Sequence, residues 1–274
     1  MNRLVVILLS SIICYFLYFP FFKNFQTSKP AIEKLGYIPD NSLFRASLGE
    51  FKWFVGYYIT FNALTYYGGK VLALERGNKE DIEYQSLLKT LKSSAMINPY
   101  YEDTYHLIQA VFPWEKGMTK ETNEVLEYVK KYRYWDYRIP LYLGFNYGFF
   151  LKDYERAAQY FQEAAKKSGN YIFASISAKY LVEAGEEDFA LSFLEEMFNE
   201  AKDEGLKTHY LLRIETIKII KKLNEAVNIY KERFGKNPKD IKDLVDGEVI
   251  SKIPAHPRGG KFYIDKDGKV KSSN

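Results

Sequence analysis

The chain has 274 residues, enough for one large domain or two small ones at the usual ~100–200 residues each. Lys and Arg number 39 against 35 Asp and Glu, which excludes a polycation built for nucleic acid, while one cysteine excludes a disulfide framework and three histidines leave little for a His/Cys metal cage. Aromatic residues make up 17%, with 24 Tyr and 20 Phe, which argues against disorder, and a mean hydropathy of −0.33 excludes a polytopic membrane protein.

The first predicted element is a membrane anchor. Leu4 to Phe22 runs for 19 residues without a charge, LVVILLSSIICYFLYFPFF, and as a helix it reaches ~28 Å, about the hydrocarbon thickness of a bilayer. A cleaved signal peptide is the competing reading, but no A-x-A-like site follows, and the next alanine is Ala31, behind Lys23 and Lys29. A lipoprotein signal would use Cys14, yet Ile13 stands where a small residue is needed. Arg3 favours an N-terminus inside the cell and Lys23, Lys29 and Lys34 oppose it; short basic N-termini stay cytoplasmic, which puts the body on the far side of the membrane.

A second charge-free stretch, Trp53 to Gly69, contains Asn62, two Thr and four Tyr. That polarity predicts a buried helix of a helical array rather than a second span. The triplets Gly68–Lys70 and Gly259–Lys261 lack the spaced first glycine and the Ser/Thr of a phosphate loop, so each is expected to be a turn.

From Tyr84 to about Leu223 the apolar spacing is helical. Leu87, Leu91 and Ser94 close on Pro99; Tyr105, Ile108 and Phe112 predict the next helix, and Val125 to Val129 its partner. The clearest unit runs from Leu141 to Gly169, with a turn at Asp153 and Tyr154. Thirty-three residues on, the pattern recurs position by position: Ala157 with Ala190, Phe161 with Leu194, Ala164 with Met197, and Gly185 at the turn. This small/large alternation over a ~34-residue helix–turn–helix period resembles the tetratricopeptide repeat, over about 138–170 and 171–204. Phe145 and Gly169 depart from the pattern. The resemblance implies stacked helix pairs, with Leu206 to Phe234 as one long or broken capping helix.

Past Gly235 the helical period ends. Lys261 to Ile264 followed by Asp267-Gly268 predicts a β-hairpin. The order helix, G-x-x-P, short helix, Ile-Pro, Gly-Gly, hairpin resembles the C-terminal module of type II secretion pseudopilins, with His256 and Arg258 in place of the Asp and Trp of that family's segment. The order of features along residues 35–272 also resembles a group of bacterial membrane-anchored tetratricopeptide proteins, through Ile38-Pro39, the LFRASLGEF run from Leu43 to Phe51, Trp53 and Tyr66-Tyr67-Gly68.

The expected fold is therefore mainly α: an N-terminal transmembrane helix (1–22), a linker (23–50), a tetratricopeptide-like α-solenoid of helix pairs (51–234) and a small C-terminal β-hairpin cap (235–274). Residues 23–204 hold 22 basic and 26 acidic side chains, and 205–274 hold 16 and 9, so a basic tail adjoins an acidic array. If the repeat register is right, a partner binds the face lined by first helices. The candidate residues are Tyr142, Asn146, Phe149, Phe150 and Lys179, with His106 and Trp114 upstream; Asn146, an amide among aromatics, suits clamping a peptide backbone. His106, His209 and His256 lie in separate regions without ligand spacing, and no catalytic, cofactor or metal residue is expected. The expected function is a non-enzymatic, membrane-anchored scaffold for a protein or peptide partner in a bacterial envelope assembly. The body is expected outside the cytoplasm, and nucleic acid is not expected as a partner. The alternative is an accessory subunit of a membrane enzyme or transporter.

Overall fold

The computed structural model describes residues 3–27, 35, 42–77, 81–115 and 117–273; within these, the side chains of 3–6, 9, 21–27 and 42–44 also lie outside the description. The described chain is mainly helical, with twelve α-helices and one two-stranded sheet among the described residues. It divides into two compact units, 1–133 and 134–274, so the array expected to run from 51 to 234 falls into two parts.

The N-terminal unit begins with α1 (Arg3–Thr27). All of its described side chains, residues 7, 8 and 10–20, are exposed, and the Ser10 and Ser11 hydroxyls donate back to the Ile7 carbonyl at 2.9 Å. Among the described residues no helix is long and apolar enough to cross a membrane. Residues 28–34 and 36–41 of the expected linker, with Ile38-Pro39, lie outside the described residues. Its described parts are helical: the end of α1, then α2 (Ser42–Ser47) and a 3₁₀ turn at Gly49–Phe51.

Helices α3 (Lys52–Glu75), α4 (Tyr84–Ile97), α5 (Glu102–Val111) and α6 (Thr119–Lys130) complete the unit, with α3 and α6 each against both α4 and α5. The expectation that Trp53–Gly69 is a buried helix needs correcting, because α3 buries one face alone. That face carries Gly56, Ile59, Thr60, Ala63 and Tyr66, spaced as one side of a helix. A Cβ added at Gly56 would stand 2.5 Å from that of Asn98, so the glycine sets how near the chain end of α4 can come. Hydroxyls join the buried faces. Ser94 donates to the Gly56 carbonyl at 2.6 Å, Thr60 lies 2.8 Å from Ser94, and Thr104 lies 2.6 Å from Thr60. Each hydroxyl has one proton, so the chain runs Thr104 to Thr60 to Ser94 to Gly56.

Gly68 and Gly69 are a second correction. They lie inside α3 and form no turn. Tyr66, buried one turn earlier, accepts a hydrogen bond from the Glu83 amide at 3.2 Å and pins that end of the helix, while the Val-Leu-Ala-Leu run beyond favours its continuation.

The C-terminal unit starts where Asp136, buried, accepts from the Arg138 amide at 3.1 Å and from two guanidinium nitrogens at 2.9 Å. Helix α7 (Arg138–Phe145) leads into a π turn, Asn146–Phe150, in which the Leu151 amide donates to the Asn146 carbonyl five residues back. Then follow α8 (Tyr154–Ser168), α9 (Tyr171–Ala184), α10 (Glu187–Glu200) and the single unbroken α11 (Glu204–Phe234), each packed on the one before. Asp153, Asn170 and Asp203 cap α8, α9 and α11, while α8 and α9 end on Gly169 and Gly185 with φ of 68° and 84°. All six residues of the 33-residue correspondence, from Ala157 to Met197, are buried. The small position of the first helix is Gly144, where a Cβ would meet the Phe161 ring at 2.8 Å, so Phe145 is displaced from it by one residue.

The cap consists of α12 (Ile241–Asp246) and an antiparallel hairpin of β1 (Phe262–Ile264) and β2 (Val270–Ser272), with Tyr263 opposite Lys271. It shares a core with the second half of α11, where Ile220, Leu223 and Val227 meet Ile241, Leu244 and Val270. The Val270 amide donates to Asn224 on α11 at 2.8 Å.

Two glycines of α3 separate propensity from packing. A Cβ at Gly68 meets nothing within 4 Å, so Gly68→Ala is expected to stabilise the chain by about 0.5–1 kcal/mol. Gly56→Ala forces α3 from Asn98 and is expected to cost ~1–3 kcal/mol. Chemical denaturation of the detergent-solubilised protein measures both; equal effects would contradict the assignment of Gly56 to a close contact.

Candidate binding groove

Two cavities of the C-terminal unit adjoin through Lys179 and Glu183 on α9. The larger, about 320 Å³, is lined by Gly148, Phe149, Lys152, Tyr154, Ile176 and Tyr180 besides that pair. Its shape follows from the π turn. The turn holds one residue more than an α turn, which rotates Phe149 and Phe150 off the packed side of α7. Phe149 stacks on Phe145 at 5.2 Å and remains 47% exposed, with the Lys152 ammonium 5.3 Å from its ring centre. Gly148 makes the space that Tyr180 fills, since a Cβ there would stand 2.4 Å from its ring. Tyr180 in turn stacks on Phe161 and Tyr154, and burial pushes its hydroxyl pKa up.

The smaller cavity, about 130 Å³, lies where the hairpin closes on α9 and α11, and Arg213, Ile217, Tyr263, Lys271, Ser272 and Ser273 line it. Arg213 is 7% exposed, and one guanidinium nitrogen lies 3.5 Å from the Ser175 carbonyl, the limit of a hydrogen bond. Burial and the neighbouring Arg258 charge lower its pKa to about 10, so it stays a cation at neutral pH. Lys271 pairs with Glu183 and lies 3.4 Å from Asp265; these two carboxylates outweigh burial and hold its pKa above the usual lysine range. Lys179 is exposed and makes no ion pair among the described residues. The groove therefore passes from an aromatic end to a cationic end. Such a lining can take an extended segment with an apolar side chain and, a few residues away, a carboxylate.

The residues expected from the sequence divide on inspection. Phe149 and Lys179 line the groove, and Phe150, half-buried, meets Phe149 edge-on at 5.0 Å. Tyr142 is half-buried on α7 and lines neither cavity. Asn146 is a correction: it is fully buried at the start of the π turn, out of reach of any partner backbone. The reason is its helix face: Ile139, Leu143 and Asn146, spaced four and three residues apart, form the buried side of the chain ahead of the π turn. His106, half-buried on α5 against the Tyr105 ring, and Trp114, 58% exposed beyond α5, belong to the N-terminal unit. Arg213, Lys271, Tyr154 and Tyr180 went unnoticed. For Arg213 a signal existed: Tyr210, Ile214 and Ile217 form an apolar stripe, and an arginine within it is out of place in a helix that merely packs. Among the described residues no group of three or more His, Cys, Asp or Glu side chains could hold a metal ion.

No known family model matches the chain, and no curated protein matches it.

His256 gives the cationic end a pH dependence. Its Nε2 lies 2.7 Å from the Ser272 hydroxyl, and burial, with the charges of Arg258 and Arg213, lowers its pKa below 6.5. A base with a depressed folded value adds stability that is complete above the unfolded value, near 6.5, and is lost as pH falls through the folded value. The thermal midpoint is thus expected to fall between about pH 7.5 and 5, and His256→Gln to flatten that part of the profile. An unchanged profile in the variant would remove His256 from the account.

Proposed function

We propose that the chain is a non-enzymatic scaffold, anchored in a bacterial inner membrane by Leu4 to Phe22, that holds a segment of a protein partner along the groove of the C-terminal unit. The observation that carries this reading is the groove itself. Its aromatic end, at Phe149, Tyr154 and Tyr180, and its cationic end, at Lys179, Arg213 and Lys271, are joined by one face of α9. That arrangement supports recognition of an extended segment with an acidic group.

The helix pairs α7/α8 and α9/α10, with their 33-residue correspondence, support a tetratricopeptide-like array, which offers a continuous face rather than a reaction centre. The anchor is supported by the character of α1, apolar on all sides and exposed at every described side chain. A helix of that kind has no water-facing side. A body outside the cytoplasm rests on the charges flanking the anchor, and an enzyme reporter fused after the last residue and active only outside the cytoplasm tests it.

The groove is tested by a photocrosslinking side chain placed at Phe149 or Lys179 in cells. Each is expected to give an adduct of one defined mass, whereas a probe at Lys166, on the outer side of α8, gives none. Charge reversal in Lys179→Glu should lower the yield at Phe149 about tenfold, as loss of one charge-assisted contact does. Equal adducts at Lys166, or indifference to Lys179→Glu, would sink the proposal.

A further inference from the structure

The outward face of α3 is unlike the surface of a water-soluble helix. Trp53, Phe54, Tyr57, Tyr58, Phe61 and Leu64 lie on one outward face, with exposures from 47% at Tyr57, whose ring packs on Tyr101 at 5.2 Å, to 62% at Trp53. Six large apolar side chains on one face exceed the scattered hydrophobics that a monomer's surface carries. The face toward α4 and α5 sets Gly56, Thr60 and Ala63, which meet Ser94 and Thr104, beside the larger Ile59 and Tyr66.

The outward face departs from burial in water, where large apolar residues are kept to the helix contact. It is the arrangement of a helix in contact with lipid, where small residues and hydroxyls join helices and large apolar residues meet the surroundings. Three further observations select lipid. The 17 residues between Lys52 and Lys70 carry no charge, a length of ~26 Å along the helix axis. Thr65, exposed on the same side, donates its hydroxyl to the Phe61 carbonyl at 2.9 Å and so adds no unsatisfied donor there. Trp53, Tyr57 and Tyr58 make up half of the six, and Trp and Tyr are enriched where proteins meet the headgroup layer.

A spanning orientation does not fit. The inner face of α3 is occupied by α4 and α5, which carry Lys89, Lys92, Glu102 and Asp103. We propose that α3 lies flat in the membrane interface, with the Trp53–Leu64 face in the headgroup and upper acyl region, and that it docks the N-terminal unit on the bilayer. Only 14 residues, 28–41, separate α1 from α2, at most about 50 Å of extended chain, which keeps α3 within reach of a membrane that holds α1. The inference does not depend on the groove; it uses the anchor solely as the source of proximity.

The test uses the full chain in vesicles of phosphatidylcholine and phosphatidylglycerol. In a Cys14→Ser background, Phe54→Cys, Phe61→Cys and Lys89→Cys are each labelled with a small fluorophore and exposed to lipid carrying a spin label high on the acyl chain. The probes at 54 and 61 are expected to lose about half of their emission and to resist aqueous iodide, while the probe at Lys89, on α4, behaves oppositely. The proposal is overturned if 54 and 61 respond to iodide as Lys89 does. It is equally overturned if both quenchers fail at 54 and 61 and those cysteines crosslink between chains, which makes a second copy the occupant. The native Cys14, labelled in the unaltered chain and quenched by a deeply placed spin label, reports the anchor separately, so loss of docking and loss of anchoring are told apart.

Discussion

An added Cβ at Gly56 would stand 2.5 Å from Asn98, and one at Gly148 would stand 2.4 Å from the ring of Tyr180. Both units thus depend on contacts too close to admit a side chain. Close approach in the N-terminal unit brings Thr60, Ser94 and Thr104 into one hydrogen-bonded chain ending on the Gly56 carbonyl. Each buried hydroxyl is thereby satisfied, which a looser contact would leave undone at a cost of ~1–3 kcal/mol per group. In the C-terminal unit the same closeness lets Tyr180 fill the space above Gly148 and form one wall of the groove. Where small residues take the inside of a contact, large ones are displaced to other faces. The aromatic abundance of the chain is, in part, a consequence of that displacement.

Much of the architecture was legible because it is local. The 33-residue correspondence, the glycines after α8 and α9, and the Asp265–Gly268 turn of the hairpin all rest on periodicity and turn chemistry, which few tertiary contacts override. Two errors share a different origin. Gly68-Gly69 reads as punctuation, yet a buried Tyr66 and a helix-favouring run beyond it carry α3 through both glycines. Trp53–Gly69 reads as a buried helix because it is free of charge yet too polar for a second span, but composition does not report what stands beside each face. Gly56, Thr60 and Ala63 proved to be on the packed face with Ile59 and Tyr66, and the other large residues on the open one.

The groove was half legible for a related reason. Asn146 shares a buried helix face with Ile139 and Leu143, while the π turn that begins at Asn146 changes register by one residue without changing composition, and Phe149 beyond it projects. Lys179 could be placed because α9 is regular up to Gly185. Lys271 could not, since its position depends on a hairpin nearly ninety residues further along the chain folding back to Glu183.

Arg213 joins these strands. It interrupts an apolar stripe on α11 and is nearly buried, and burial together with Arg258 lowers its pKa while leaving it charged at neutral pH. A guanidinium so placed carries a desolvation cost, and an apolar side chain of similar volume packs such a site as well or better. Packing alone therefore gives no reason for an arginine there. A cavity does: Arg213 meets Lys271, Ser272 and Ser273 at its walls, beside the exposed Lys179, and a charge held at low mobility in a partly dry site binds an anion more strongly than one on a solvated surface. The basic excess of residues 205–274 is then in part a local feature. Much of it is a solvated lysine surface, but Arg213, Arg258 and Lys271 gather where the cap closes on α9 and α11. The cap's second role follows from that position: besides covering the last apolar face of α11, the hairpin supplies one wall of the groove, so a substitution that loosens Val270 from Asn224 reshapes that wall as well as lowering stability.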